Sequence, residues 1–152
     1  MTHRGLDDDR LLRLSLVAVW LVTGAVILPW NDPVSEAEKA SLLDFMSDGR
    51  LVLGFGRGLA RVKYEQFGIP MSEARGRFDE AAPMIVDALR TGRMSGPGPF
   101  YPREATPIRP TPGNSFDGRI VSVAKSDESA VAAAEIGAGL VFIVQKPIAE
   151  HM

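Results

Sequence analysis

The run LVLGFGRGL at 51 to 59 ends in two glycines that bracket an arginine, a combination suited to holding an anion. Gly56 and Gly58 let the backbone turn tightly and approach a ligand, and the Arg57 guanidinium offers a planar fork of donors that matches phosphate oxygens. Arg75 follows near the start of the next helical segment, where the positive end of the helix dipole adds to the attraction for negative charge. Taken alone, Gly-Arg-Gly more often marks a plain strand-to-helix turn with a solvated arginine, so the surrounding sequence decides between the two readings. Competing chemistry is hard to find. There is no nucleophile elbow, no metal-ligand cluster, no Walker-type loop and no basic aromatic surface, and the two histidines, His3 and His151, lie at opposite ends.

The elements that would position these residues alternate between strand and helix. Asp32 followed by Pro33 is a helix start, with an oxygen acceptor at the cap and proline where its missing N–H costs nothing. Val34, Ala37, Leu42, Phe45 and Met46 approximate one helical face, Gly49 marks the stop, and Leu51 to Phe55 reads as a short buried strand. Ser72 is placed to cap a long helix through about Thr91, with Phe78, Ala81, Ile85, Ala88 and Leu89 inward and Gly92 at its end. Pro83 inside that helix predicts a kink or a split, at a cost of about 3 kcal/mol. Glu36, Glu38 and Lys39, like Asp79, Glu80 and Asp87, read as solvated helix faces. Residues 95 to 118 are crowded with proline and glycine and predict a long loop. Arg119 to Ala124 resumes a strand, Ser126 caps a helix through Ile136, Ser129 falls in its first turn, and Leu140 to Val144 is a last apolar run. Four strands and three helices result, an α/β arrangement.

The stretch from Leu11 to Trp30 is mostly apolar, but Arg13, Ser15, Thr23, Gly24 and Pro29 interrupt it. Its uncharged part falls short of the about 20 residues a membrane helix needs. Asp7, Asp8 and Asp9 spoil the basic leader of a signal peptide. A parallel strand covered on both faces is the better reading, after an irregular segment at 1 to 13. With 45% hydrophobic and 24% charged residues and a net charge of -2, nothing points to nucleic acid or to a membrane. The absence of cysteine excludes disulfides, zinc-thiolate sites and thiol nucleophiles, and fits a cytoplasmic location.

Residues 51 to 78 resemble the bacterial-luciferase-like monooxygenases, flavin-dependent enzymes on a TIM barrel. The likeness includes the strand ending GFGRGL, the pair Phe67 and Gly68, the Ser-Glu-Ala-Arg run at 72 to 75 and the helix beginning with Phe78. It extends to TGAVILPWNDPV at 23 to 34, SLLDFMSDGR at 41 to 50 and SVAKSDESAVAAAEIGAGL at 122 to 140, in one order, covering roughly residues 14 to 146. A closed barrel takes about 250 residues, so 152 residues imply a partial (β/α)8 barrel: one incomplete domain of about four parallel strands with intervening helices.

What the resemblance implies can be stated residue by residue. Arg57 and Arg75 would hold the flavin phosphate, joined by Ser126 and Ser129, with Gly56 at the turn. Gly24 and Ala25 match the position of an uncommon cis peptide beneath the flavin ring. Trp30 would touch ring or substrate, and Phe100 and Tyr101, from the long loop, would line the pocket mouth. The implied reaction oxygenates a small organic substrate with O2 and reduced FMN, fed by a flavin reductase; coenzyme F420, a deazaflavin, is the variant within the class. The histidine that many members use for catalysis belongs to a region preceding the match, so no catalytic residue is assigned and little activity is expected of this polypeptide alone. Raw sheet edges predict an oligomer. Two alternatives stay open: a non-catalytic flavin-binding subunit, and a small phosphate- or nucleotide-binding α/β module.

Overall fold

The computed structural model describes residues 19–142. The segment expected to be irregular at 1 to 13, both histidines and the end of the last apolar run lie outside the described residues.

The chain runs β1 (Leu21–Val22), β2 (Val26–Ile27), a 3-10 turn at Leu28–Trp30, α1 (Pro33–Met46), β3 (Leu51–Gly56), α2 (Arg61–Gln66), a 3-10 turn at Met71–Glu73, α3 (Ala74–Thr91), β4 (Arg93–Gly96), β5 (Arg103–Pro107), β6 (Ile120–Ala124), α4 (Asp127–Glu135) and β7 (Gly139–Phe142). β1 and β2 both pair with β3, β3 with β6 and β6 with β7, all parallel. Helices connect the neighbouring strands, as parallel pairing requires. This is the α/β half-barrel expected from the sequence.

β1 and β2 are one strand broken by a bulge. Leu21 and Val22 face Leu51 and Val52, whereas Val26 and Ile27 face Phe55 and Gly56. One extra residue is therefore accommodated across Thr23 to Ala25, and the Thr23 hydroxyl takes the ladder's place by accepting the Gly54 N–H at 2.8 Å. Gly54 is needed there, since a Cβ would lie 2.3 Å from the Thr23 carbonyl oxygen. The Gly24–Ala25 bond is trans; the cis bonds among the described residues, Gly98–Pro99 and Arg109–Pro110, are both prolyl. The bulge achieves the bend with ordinary peptides, without the roughly 3 to 4 kcal/mol that a cis non-prolyl bond costs. β1 is also exposed, not buried, because it pairs on one side only among the described residues.

The core lies between one face of the sheet and helices α1 and α3. Leu51, Leu53, Phe55 and Ile120 meet Ala37, Phe78, Ile85, Leu89 and their neighbours. Each large side chain buried here is worth about 1.5 to 3 kcal/mol. The inward face of α3 is the one its spacing predicts, and Gly92 ends it at φ 74. Other expectations for this layer change. α3 is not capped by Ser72, which sits in the preceding 3-10 turn, and the helix passes unsplit through Pro83. That proline is on the exposed side, where water replaces the hydrogen bond it forgoes.

Helix α1 presents the opposite face from the one its large apolar residues predict. Glu36, Ala37, Ala40, Ser41 and Asp44 are buried, while Leu42, Leu43, Phe45 and Met46 are exposed. Small residues allow close approach, and polar anchors fix the face: Ser41 donates to the Pro110 carbonyl at 2.8 Å, and Asp44 pairs with Arg119. Glu80 is likewise not merely solvated, since it accepts the amides of Phe100 and Tyr101.

The stretch at 95 to 118 is not irregular throughout. β4 and β5 form an antiparallel ribbon, bulged between Met94 and Gly96, with Met94 fully buried against the core. A two-stranded ribbon has only edges, so Pro107 at its end costs no ladder bond. The short helix α2 is an addition to the three helices expected. No helix among the described residues is long and apolar enough to cross a membrane.

Candidate functional site

At the carboxyl ends of β2, β3 and β6 a cavity of about 370 Å3 opens, where active sites of barrel folds lie. The bulge before β2 contributes Ala25, β2 and the turn after it Ile27 and Trp30; the end of β3 and the turn after it contribute Gly56 through Ala60; α3 contributes Arg75 and Phe78. From β6 and α4 come Ser122, Val123, Lys125, Ser129 and Ala132. Of the residues marked in the sequence, Arg57, Arg75, Ser129, Gly56, Ala25 and Trp30 thus share one cavity. Among the described residues its lining holds three cationic residues, Arg57, Arg75 and Lys125, and no carboxylate.

The Gly-Arg-Gly turn owes its path to its glycines. Gly58 has φ +78, and a Cβ on it would come within 2.8 Å of Ile27 Cγ2 and 2.9 Å of Trp30 Cζ2. Trp30 packs edge-on to Tyr64, with ring centroids 5.3 Å apart, and stacks on Phe67 at 5.5 Å. Helix α2 therefore clamps the turn from outside, and the Tyr64 hydroxyl donates to the Arg57 carbonyl. Burial raises the Tyr64 pKa above its ordinary value, opposed by the charge of Arg57 and by the nearby Trp30 indole. That indole N–H falls short of hydrogen-bond geometry and has no partner among the described residues. The Arg57 side chain makes no ion pair there either, so its donors are available. Arg75 is partly engaged: its Nε lies 2.7 Å from Asp79 and a terminal nitrogen 3.8 Å from Glu128.

Ser126 and Ser129 form a reciprocal capping box at the start of α4. Ser129 Oγ accepts from the amides of Lys125 at 3.0 Å and Ser126 at 2.9 Å, and lies 3.1 Å from Ser126 Oγ. Both serines first order the turn that carries Lys125. Ser129 lines the cavity; Ser126 is not part of the lining.

Three marked residues lie elsewhere. Phe100 packs on Gly76 beneath the Arg77 guanidinium, 5.1 Å from its ring centre, and Tyr101 is buried in the core. Neither reaches the cavity, because the ribbon that bears them is tied to Glu80 on another face of α3. Gly24 sits in the bulge and is not part of the lining. Sequence reading missed Ser122, Lys125 and Tyr64. A serine inside the apolar strand IVSVA and a lysine directly before a serine cap were the available signals for the first two. Among the described residues no group of acidic or imidazole side chains could hold a metal.

A family model described as luciferase-like monooxygenase matches residues 18–151. The chain is 38% identical over 73 residues to the alkanal monooxygenase alpha chain of Aliivibrio fischeri, a match covering 48% of this chain and 21% of that one. Among solved structures it is similar to monooxygenase RslO1 from Streptomyces bottropensis, with TM-score 0.68 and 35% identity over 80% of this chain and 37% of the other. A coenzyme F420 dependent tetrahydromethanopterin reductase from Methanopyrus kandleri has the same fold, with TM-score 0.62 and 18% identity over 88% of this chain and 43% of that one. The matches thus cover less than half the length of each of these proteins.

Proposed function

The chain belongs to the luciferase-like monooxygenase family, and on that premise we propose that it forms the cofactor-binding part of a flavin-dependent monooxygenase acting on a small organic substrate. The observation that carries this reading is the cavity itself, which among the described residues is lined by three cationic residues and no carboxylate, together with the apolar Ile27, Trp30 and Val123. A planar ring with a phosphorylated tail matches both halves. The donor set fits that group, since guanidinium, ammonium and hydroxyl donors in a partly desolvated place are what a phosphate requires.

In this reading Arg57 would hold the phosphate, Arg75 would add charge while Asp79 holds its orientation, and Ser129 with Ser126 would order the start of α4 beside it. Ala25 and Gly56, small residues in the lining, would let the ring approach the sheet, and Trp30 would shield it from water. Reduced flavin, when bound, supplies the electrons for oxygen activation. Reduced FMN is the cofactor proposed; coenzyme F420 would use the same anionic anchor. The exposed Leu21 and Val22 on β1, and Leu140, Val141 and Phe142 on β7, support the further proposal that the sheet continues by pairing with additional polypeptide, and that this chain alone turns over slowly.

Titrating the chain with FMN and following flavin fluorescence tests the reading. Saturable binding that Arg57→Ala weakens about tenfold or more supports it. Absence of saturable binding, or binding indifferent to Arg57, overturns it.

A further inference from the structure

The parallel sheet has two faces, and the pairing register sorts its side chains between them. Leu51, Leu53 and Phe55 share a side with Ile120, where α1 and α3 pack. The other side carries Val22, Val52, Val121, Val123 and Val141, with Gly54 and Gly139 between them. None of these five valines is buried: Val22 is 61% and Val141 39% exposed, and Val52, Val121 and Val123 are half-buried. Val52 is half-buried although its strand, β3, is paired on both sides. Parallel sheets are covered on both faces, so the valine face is one half of a core whose other half must be supplied.

Branched side chains pointing inward from parallel strands are what fills the middle of an eight-stranded barrel. β1 with β2, then β3, β6 and β7, make four such strands, half that number, and the outer strands β1 and β7 each pair on one side only among the described residues. The face between them bears no charged residue that would keep an identical face away.

We propose that two copies of this chain close one eight-stranded barrel, valine face to valine face, about a two-fold axis parallel to the strands. That axis sets β7 of each copy beside β1 and β2 of the other, so both seams are parallel, as every pairing within this sheet is. It also brings both cavities to one rim, where the wall of the second copy closes the open side of the first. The additional polypeptide invoked above is then a second copy, and this rests on the flavin reading only for what the closed cavities hold.

Sedimentation velocity of the full chain over a wide concentration range is expected to show a reversible monomer–dimer equilibrium and nothing larger, because closure uses both edges. Val141→Asp puts a charge at a position exposed in the single copy and interior in the dimer, and should weaken dimerisation about tenfold or more. Val22→Asp, on the opposite edge strand, should do the same; circular dichroism checks that both variants fold. Phe45→Asp, on the exposed face of α1, should leave the dimer intact. A parent that stays monomeric, one that grows into larger assemblies, or a dimer that Phe45→Asp breaks and both valine variants spare overturns the inference. FMN titration of the same samples separates the two readings. Arg57-dependent binding by a chain that stays monomeric leaves the flavin reading standing, whereas a dimer broken by the valine variants that binds no FMN supports the closure and overturns the flavin reading.

Discussion

The Tyr64 hydroxyl donates to the backbone carbonyl of Arg57, so the arginine of the Gly-Arg-Gly turn is tied to the short helix that follows it. Tyr64 is 1% exposed and meets Trp30 edge-on, which makes α2 a clamp on the turn. Tyr64→Phe keeps the ring packing and removes one hydrogen bond. The expected loss of stability is about 1 kcal/mol, with a few-fold weaker grip on FMN because Arg57 is less well held.

The same residue gives a pH prediction. Burial raises the Tyr64 pKa above its ordinary 10.0, the Arg57 charge opposing it. The folded state then holds the proton more tightly than the unfolded state. The contribution is therefore complete below pH 10 and is lost as pH rises through the raised value. Melting temperature measured from pH 8 to 11 should fall less steeply at the alkaline end in Tyr64→Phe than in the parent; parallel curves would show that Tyr64 is not responsible.

Gly58→Ala should harm the site more than its size implies. At φ +78 an L side chain is strained, and the new Cβ would press on Ile27 and Trp30 at 2.8 and 2.9 Å. Together these cost about 1 to 3 kcal/mol, or move the turn. Thermal unfolding and FMN titration read the two outcomes. A variant that keeps both stability and affinity would show the turn to be freely mobile.

Much of this fold is legible in the sequence where large apolar residues and local caps agree. The inner face of α3, its end at Gly92, strand Leu51–Gly56 and the cap at Ser126 all follow from spacing and residue type. Helix α1 misleads because its seam is made of Ala37, Ala40 and Ser41, and its orientation comes from Asp44, whose partner is 75 residues away. No local window contains that information. The ribbon Arg93–Pro107 was hidden by its prolines, and Phe100 and Tyr101 go with it, since Glu80 decides where they sit. Arg57 and Arg75 could be marked as candidate anion ligands from their context, and both line the cavity. Lys125 could not, because a lysine beside a cap looks like any solvated lysine until the strand ends converge.

Ser129→Ala tests whether the turn before α4 is built by its capping box. The Ser129 hydroxyl accepts two amides and donates to the Ser126 carbonyl at 2.7 Å. Its loss should cost about 1 kcal/mol in urea unfolding and lower FMN affinity as Lys125 loses its anchor. Ser129→Thr retains the hydroxyl and should restore most of both. Full stability in the alanine variant would show that the box contributes nothing.

Asp44→Ala should separate fold from site. Asp44 is 2% exposed and pairs with Arg119, which also donates to the carbonyls of Gly49 at 2.9 Å and Leu51 at 3.0 Å. The Arg119 carbonyl in turn accepts the Leu53 amide at 2.8 Å, so the network fixes the starts of β3 and β6 in register. Removing one partner of a buried pair leaves the other charge uncompensated, a loss of about 3 to 5 kcal/mol. The lower end applies, because the Arg119 side chain is 13% exposed and keeps its carbonyl partners. The cavity opens at the other ends of these strands, so the folded fraction should bind FMN within about twofold of the parent, as independent sites do. Urea unfolding and a low-temperature FMN titration give the two numbers. A large loss of affinity in fully folded protein would mean that strand register at the base is transmitted to the turn at Arg57.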